Sequence, residues 1–201
     1  MANKRVGADH EASLHSERLC VPLEFETQRL LLRCPRAGDG AVVYASVVES
    51  LDKLREFPAS LPWAMAAPTV EQSEAYCQDA HARFLARTAF PFLAFTKEEA
   101  THVGNLALHD VDWSVPKCEI GYWVRASLAG RGLMTEAVAA LATFGFDTLG
   151  MRRIQALPEA GNIRSCRLCE RAGFVLEGTL RNHRIAPDGC LLHTRVYAAI
   201  R

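Results

Sequence analysis

The stretch Trp123-Val-Arg-Ala-Ser-Leu-Ala-Gly-Arg-Gly-Leu-Met-Thr-Glu-Ala137 joins a predicted strand to a predicted helix. The short aromatic and β-branched run before it, residues 119–124, is typical of a strand. After it, apolar residues recur at helical spacing through residues 134–149. Gly130 and Gly132 between them allow a tight turn that a ligand can approach closely. Because a helix start carries unpaired N–H groups and a positive dipole end, this turn is predicted to bind an anion, best suited to phosphate.

The spacing of this turn differs from the two commonest phosphate-binding motifs. A P-loop has a lysine directly after its second glycine, where this chain has Leu133. The dinucleotide fingerprint has a third glycine three residues after the second, where this chain has Thr135. A G-x-G pair on its own is also compatible with an ordinary strand-to-helix turn, so further motifs have to decide.

The segment Gly130-Arg-Gly-Leu-Met-Thr-Glu-Ala137 resembles the acyl-CoA pyrophosphate loop of the GNAT superfamily of N-acyltransferases. Ala129 departs from the family pattern, whereas Met134 is a variant of the RimJ/RimL-type branch, which is ribosomal-protein N-terminal acetyltransferase-like. Residues 27–33, Thr-Gln-Arg-Leu-Leu-Leu-Arg, resemble the opening strand T-x-R-L-x-L-R of that branch. This second motif adds weight because it falls at the expected end of the chain.

A third group of motifs matches the same branch further along the chain, where N-x-x-S is followed by R/K-x-G-F and then by E-G-x-x-R. The residues at these positions are Asn162, Ser165, Arg171, Gly173, Phe174, Glu177, Gly178 and Arg181. The motifs occur in matching order over about residues 25–198. A resemblance of this extent is far more specific than a single-motif match.

The predicted fold is α/β (α+β), because strands first meander and then alternate with helices, which favours a mixed sheet between helices. The resemblance implies the GNAT fold, a central mixed, mostly antiparallel twisted sheet flanked by helices on both faces. It also implies that the sheet is splayed after the strand at 119–124 to admit acyl-CoA. Residues 1–20 are predicted to be an N-terminal tail, and residues 21–201 the GNAT domain.

The resemblance places acetyl-CoA, as co-substrate, against the glycine turn and the N-x-x-S helix, and it requires no metal. A backbone N–H within residues 123–125 is expected to stabilise the oxyanion of the transition state. The residues expected to contact acetyl-CoA are Trp123, Val124, Arg125, Ala129, Gly130, Arg131, Gly132, Leu133, Met134, Thr135, Asn162 and Ser165.

The acid and the base of the reaction are less clearly marked. Cys169 occupies the position at which many GNAT enzymes have a tyrosine that protonates the leaving thiolate, so Ser165 is the predicted acid. Arg184 occupies the place of a glutamate found in some RimL-type enzymes, and a guanidinium cannot act as a base. Glu119, on the strand that enters the site, and His183, on the segment bordering the acceptor cleft, both stay open as the base.

Bulk properties narrow the partners and the location. Lys and Arg together number 23, as do Asp and Glu, so no overall field favours nucleic acid or a membrane. We therefore expect neither as a direct partner. The seven cysteines are an odd number and favour reduced thiols, hence a cytoplasmic location. The Cys166-x-x-Cys169 pair is more typical of small core residues than of a zinc site.

The sequence thus predicts an acetyl-CoA-dependent N-acetyltransferase acting on a primary amine. The branch favours a protein N-terminal α-amine, as on ribosomal proteins, over a small amine, and it leaves a homodimer open. The acceptor pocket is expected from residues 51–68 and 182–191, which match no fixed motif. The alternative is a catalytically impaired CoA-binding regulatory or interaction module, which Cys169, Arg184 and Ala129 favour.

Overall fold

Eight strands and four α-helices make up the computed structural model, which describes residues 20–201. The predicted tail therefore lies outside the described residues, apart from Cys20. In chain order the elements are β1 (Glu24–Glu26), β2 (Leu30–Arg33), α1 (Gly40–Leu54), a 3-10 turn (Pro62–Met65), α2 (Val70–Leu85), β3 (Phe90–Thr96), β4 (His102–Asp112), β5 (Lys117–Val124), a second 3-10 turn (Ala126–Leu128), α3 (Leu133–Asp147), β6 (Arg153–Ala156), α4 (Ile163–Arg171), β7 (Val175–Ile185) and β8 (Leu191–Ile200).

All eight strands belong to one sheet, in the order β1-β2-β3-β4-β5-β6-β8-β7. Among the described strands, β5 and β6 form the one parallel pair, and every other neighbouring pair is antiparallel. A helix connects the two parallel strands, as a parallel crossover requires. The predicted mixed, mostly antiparallel sheet is confirmed.

The sheet opens between β5 and β6. Their pairing runs from Lys117 opposite Arg153 only as far as Glu119 opposite Gln155. Beyond that point β6 ends at Ala156, whereas β5 continues to Val124 along β4. The predicted splay is confirmed, and it begins within β5 at Glu119 rather than after the strand.

Helices cover both faces of the sheet, as the alternation of β3 shows. Phe92 packs into the large core that contains α3, in which Ala137 and Leu141 are fully buried. Leu93, the next residue, packs into a second core with Val43 of α1. Successive side chains of a strand point to opposite faces, so a strand buried on both sides is continuously apolar.

The opening strand expected over residues 27–33 begins only at Leu30, because residues 27–29 form the turn between β1 and β2. The two strands form a hairpin, closed by the Thr27 N–H, which donates to the Leu30 carbonyl over 2.8 Å. No glycine, proline or asparagine marks this turn in the sequence. Its side chains are instead held by Glu136 of α3, which is more than a hundred residues away along the chain.

The Glu136 carboxylate is the acceptor of three bonds from that hairpin turn. Oε1 accepts from Thr27 Oγ1 at 2.6 Å and from the Arg29 N–H at 2.9 Å, and Oε2 accepts from Arg29 Nε at 2.6 Å. Arg29 Nη1 also donates to the Arg131 carbonyl at 3.1 Å. The T-x-R motif and the glycine-turn motif are therefore two halves of one tertiary contact, which we call the Glu136 clip.

Burial of Glu136 raises its pKa. The hydrogen bonds from Thr27 and Arg29, together with the charge of Arg29, outweigh this effect, so the pKa lies below the ordinary value. A carboxyl with a depressed folded pKa stabilises the fold above its unfolded pKa, which is about 4.3. That contribution is lost as the pH falls through the folded pKa.

We predict that Glu136→Gln lowers the free energy of unfolding at pH 7 by about 1–3 kcal/mol, because the clip loses its charge. Urea denaturation at pH 7, 5 and 4 measures this difference, which shrinks as the wild-type carboxyl becomes protonated. Glu98→Gln, an exposed change in the β3–β4 turn, is the matched control and leaves the stability nearly constant. Equal stability losses in both variants at every pH would contradict the clip.

Candidate active site

Glycine is required in the turn before α3 because of backbone conformation rather than lack of space. Gly130 and Gly132 have φ values of +79° and +74°. A Cβ at Gly130 would meet open space, and one at Gly132 would lie 3.6 Å from Arg29 Nη2. Both positions are left-handed, where other residues are strained. Gly132 caps α3, so the N–H groups of the first helical turn point at the glycine turn without intrahelical acceptors.

Helix α1 holds the segment before the glycine turn. Glu49 Oε1 accepts from the Ser127 N–H at 2.9 Å, and Glu49 Oε2 accepts from Arg125 Nε at 2.6 Å. Ser50 Oγ accepts from the Ala126 N–H at 2.9 Å. With the Glu136 clip on the other side, the turn is anchored at both ends. Such anchoring preorganises an anion site before the ligand arrives.

Acetyl-CoA contacts at this turn would come mainly from the backbone. Leu133 and Met134 have buried side chains that pack into the core. Arg125, predicted to contact the cofactor, is paired with Glu49. Arg131 is exposed beside the turn, where a guanidinium can reach a phosphate.

The sequence left three N–H groups open as the expected oxyanion donor, and the strand geometry directs one of them into the opening of the sheet. The Arg125 N–H already donates to the Val103 carbonyl on β4, over 2.8 Å. Successive N–H groups along a strand point to opposite edges. The Val124 N–H is therefore directed away from β4, into the opening of the sheet.

A half-buried cluster joins β5 to α4 beside that opening. The Tyr122 hydroxyl lies 2.9 Å from Ser165 Oγ and 3.3 Å from Cys169 Sγ. Asn162 caps α4, its Oδ1 accepting from the Ser165 N–H at 3.0 Å. Cys169 occupies the sequence position at which many GNAT enzymes have a tyrosine, and the phenol of Tyr122 on β5 lies next to it. Strand alternation places Tyr122 on the face opposite Glu119, but only the packing of α4 against β5 brings it to Ser165.

Burial keeps both the phenol and the thiol of this cluster protonated. It raises the pKa of Tyr122 well above the ordinary value, with the neighbouring Cys169 adding to the effect. Burial likewise raises the pKa of Cys169 to about 11. A neutral phenol can donate a proton, whereas a neutral buried thiol is a poor nucleophile. Cys166 is also buried, and all seven cysteines are free.

The other face of β5 forms the floor of a cavity. Cross-strand pairs with β4 place Asn105 opposite Trp123 and Ala107 opposite Gly121. The cavity above this row has a volume of about 670 Å³ and is covered by α1, α2 and the 3-10 turn Pro62–Met65. The expected acceptor segment 51–68 lines it, whereas no residue of the expected segment 182–191 is among the described lining residues.

The cross-strand pair His109 and Glu119 continues that row. Burial raises the pKa of Glu119, and the charges of His109 and Arg184 partly offset this effect. His109 lines the cavity, and its Nδ1 lies 2.9 Å from Asp110 Oδ2. A Cβ at Gly121 would come within 2.9 Å of His109 Nε2, so this glycine makes room for the ring. Sequence reasoning missed His109 because no motif marks it.

The two neighbours on β7 point to different partners. His183 is exposed, and its Nδ1 lies 3.1 Å from Thr194 Oγ1 on β8. Arg184 instead donates from Nη1 to Ser60 Oγ, over 2.7 Å, at the cavity. None of Glu119, His183 and Arg184 is among the described lining residues, but two of them adjoin the cavity. Arg184 contacts the lining residue Ser60, and Glu119 is the cross-strand neighbour of the lining residue His109.

Within residues 20–201, no group of three or more His, Cys, Asp or Glu side chains is placed to hold a metal ion. No helix in the same range is long and apolar enough to cross a membrane.

Comparison with known proteins gives the family. Residues 29–175 match the family model described as an acetyltransferase (GNAT) domain. Because the match covers more than half of the chain, the chain belongs to the GNAT acetyltransferase family. The predicted family is thereby confirmed.

Curated relatives carry related names. The putative ribosomal N-acetyltransferase YdaF of Bacillus subtilis is 37% identical over 79 residues, 39% of this chain and 43% of that protein. The ribosomal-protein-serine acetyltransferase of Escherichia coli is 28% identical over 97 residues, 48% of this chain and 53% of that protein. The chain matches 43% and 61% of the lengths of the first two curated relatives.

Solved structures share the fold. RimL, a ribosomal L7/L12 α-N-protein acetyltransferase in complex with coenzyme A, aligns with a TM-score of 0.78 at 23% identity, covering 90% of this chain and 97% of that chain. The microcin C7 self-immunity acetyltransferase MccE, in complex with acetyl-CoA and AMP, aligns with a TM-score of 0.77 at 20% identity, covering 87% and 94%.

We predict that Gly132→Glu abolishes acetyl-CoA binding, because it strains the left-handed turn and adds a negative charge to an anion site. Calorimetric titration measures the affinity. Gly189→Ala is the matched control, since Gly189 has a φ of +86° in the β7–β8 turn. It incurs a similar strain of about 1–2 kcal/mol but keeps wild-type affinity. Unchanged affinity in folded Gly132→Glu would remove this turn from the acetyl-CoA site.

Proposed function

We propose that this protein is an N-acetyltransferase that moves an acetyl group from acetyl-CoA to a primary amine. The observation that carries the proposal is the opening beside β5, which is flanked by an anchored anion site and by a half-buried phenol and a half-buried carboxylate on opposite faces of the strand. The names of the ribosomal-protein acetyltransferase relatives favour an α-amine as acceptor. The turnover assay that tests it is release of CoA, monitored with a thiol reagent, on mixing acetyl-CoA with peptides and amines.

The reaction is a direct transfer in which the amine attacks the thioester that acetyl-CoA supplies. The N–C bond forms as the C–S bond breaks, so the amine loses a proton and the thiolate gains one. The N–H groups at Gly132 and the start of α3 hold the pyrophosphate, which positions the acetyl group in the opening. The Val124 N–H stabilises the oxyanion.

The acid acts from the α4 side of β5. Tyr122 is neutral and donates its proton to the thiolate, and Ser165, 2.9 Å away, orients the phenol. The sequence predicted Ser165 itself as the acid. Substitution can distinguish a Ser165 that donates the proton from a Ser165 that only orients the phenol. Asn162 adds the cap that fixes the position of Ser165 on α4.

The base acts from the cavity side of the same strand. Glu119 accepts the amine proton, directly or through a water, and its raised pKa makes it a better base than an exposed carboxylate. The charges of His109 and Arg184 limit that rise in pKa. Acid and base thus lie on opposite faces of one strand, so neither neutralises the other.

The competing function is a CoA-binding module without catalysis. Arg184 at the family's carboxylate position and the departure at Ala129 favour it. Tyr122 weighs against it. The cysteine at position 169 had suggested that the acidic phenol was missing, but Tyr122 places a phenol beside that position. Acetyl-CoA binding without CoA release from any acceptor would support the module.

We predict that Tyr122→Phe lowers kcat by about a hundredfold or more, as expected for a general acid. Ser165→Ala lowers kcat less, because it removes only the partner that orients the phenol. Steady-state CoA release at saturating acetyl-CoA gives both values, with Tyr44→Phe on α1 as the matched control. The reverse order, with Ser165→Ala the more severe variant, would assign the acid to Ser165.

We also predict that kcat/KM is lost as the pH falls through an inflection above the ordinary glutamate pKa of about 4.3. Only ionised Glu119 can accept a proton, so Glu119→Gln removes this inflection. His109→Gln moves it to higher pH, because the charge that lowers the pKa of Glu119 is gone.

His183→Gln is the control for that profile and keeps the wild-type inflection. All four proteins are measured with one acceptor, because an α-amine itself titrates near pH 8. If the inflection survives in Glu119→Gln and disappears in His183→Gln, the base is His183.

A further inference from the structure

The lining of the acceptor cavity lacks the charges that a polycationic acceptor would need. Among the described residues that line it, none is an aspartate, glutamate, lysine or arginine. Its walls are mostly apolar side chains of α1 and the 3-10 turn, with Val43, Val47 and Leu61 as examples. A second ammonium group buried there would stay unpaired and would lose its hydration without compensation.

Apart from Glu119, the proposed base, two charged residues close to the cavity contact its lining residue Ser60. Ser60, a lining residue, accepts from Arg184 Nη1 at 2.7 Å and donates to Glu159 Oε1 at 2.8 Å. Glu159 is buried, so its carboxylate is shielded from an acceptor. Arg184 places a cation at the cavity and repels a second positive charge. Charge complementarity therefore excludes polyamines and aminoglycosides.

Aromatic rings supply most of the remaining recognition. Trp63 and Trp123 have ring centroids 6.3 Å apart, and Tyr76 lies in the same cavity lining. Trp63 is 47% exposed and Tyr76 39% exposed, which is a large apolar area for side chains facing a cleft. Rings of this kind bind a further ring by offset or edge contacts.

These rings are held in place before an acceptor arrives. Arg55 donates to the Ala64 and Ala66 carbonyls, at 2.9 and 3.3 Å, and so fixes the 3-10 turn that carries Trp63. The Trp123 ring meets the buried His102 ring at 5.9 Å and 76°. A preorganised pair of rings loses little side-chain entropy on binding.

We propose that the acceptor is a monoamine whose amino group lies next to an aromatic ring, with no second cation. The ring binds against Trp63 and Trp123, and the amino group lies toward Glu119 and the opening of the sheet. The proposal rests on the proposed acetyl transfer and names its substrate class. Two sources share this chemistry, a peptide that begins with an aromatic residue and a free arylalkylamine.

The apolar cavity also favours the reactive form of such an amine. Desolvation lowers the pKa of an ammonium group, so a bound amine is more often neutral and nucleophilic. A polycation would lose this advantage, because its second charge would draw in water. The apolar cavity would therefore explain both which amines bind and why a bound amine is reactive.

The test compares kcat/KM for matched acceptors at one pH. The panel consists of Phe-Ala-Ala-amide, Ser-Ala-Ala-amide, tryptamine, spermidine and kanamycin. The peptide with N-terminal Phe and tryptamine are expected to exceed the serine peptide and both polycations by about tenfold or more. The better of the two aromatic acceptors identifies the source. A serine peptide or a polycation that matches or exceeds both aromatic acceptors overturns the proposal.

Two variants test the cause of the preference. Trp63→Ala is expected to remove the aromatic preference mainly through KM, whereas Leu85→Ala, an exposed change on α2 outside the cavity lining, keeps it. Gln72→Glu adds one charge to the lining and keeps the capping box with Thr69, since glutamate also fits that position. It should raise spermidine turnover relative to tryptamine severalfold. An unchanged preference in Trp63→Ala overturns the assignment of the ring site.

A binding measurement separates this proposal from the proposed activity. If no acceptor releases CoA, acetyl transfer fails, and tryptamine is titrated calorimetrically into the protein loaded with CoA. Binding by the wild type that is weakened about tenfold in Trp63→Ala supports the ring site without catalysis. Absence of tryptamine binding overturns the ring site as well.

Discussion

The Glu136 clip is the contact on which the rest of the site depends. It joins the hairpin at one end of the sheet to the first turn of α3, and Arg29 extends it to the Arg131 carbonyl. A carboxylate at the start of a helix is favoured by the helix dipole. Here it is saturated by Thr27 and Arg29, so it offers little free negative charge to repel a phosphate. A carboxylate thus anchors a turn that is predicted to bind an anion. This is possible because the three hydrogen bonds of the clip occupy the carboxylate.

The splay of the sheet then divides the chemistry between two faces. Once β6 leaves β5 at Glu119, the edge of β5 that would have paired is free to face acetyl-CoA. The alternation of the strand directs Tyr122 toward α4 and Glu119 toward the cavity. A one-residue shift in register would exchange these faces. The phenol would then face the amine acceptor, and the carboxylate would face the CoA thiolate. The register against β4 is thus a chemical constraint as well as a structural one.

Local patterns in the sequence predicted the parts of this arrangement that local physics determines. The turn at Gly130 and Gly132 before α3 follows from backbone preferences, and the structure contains it. The hairpin at Thr27 was missed because a distant carboxylate holds it. Tyr122 was missed for a related reason, since its meeting with Ser165 depends on how α4 packs against β5, and sequence spacing carries no such information.

Arg184 shows why a substitution at a family position need not remove a function. Its guanidinium cannot replace a carboxylate, yet it contacts Ser60 and lowers the pKa of Glu119. Burial alone would push Glu119 toward the neutral form, in which it could not accept a proton. The cation offsets part of that cost, which supports the proposal that Glu119 on β5 serves as the base. The same cation disfavours a second positive charge on the acceptor, and one residue thereby links proton transfer to substrate choice.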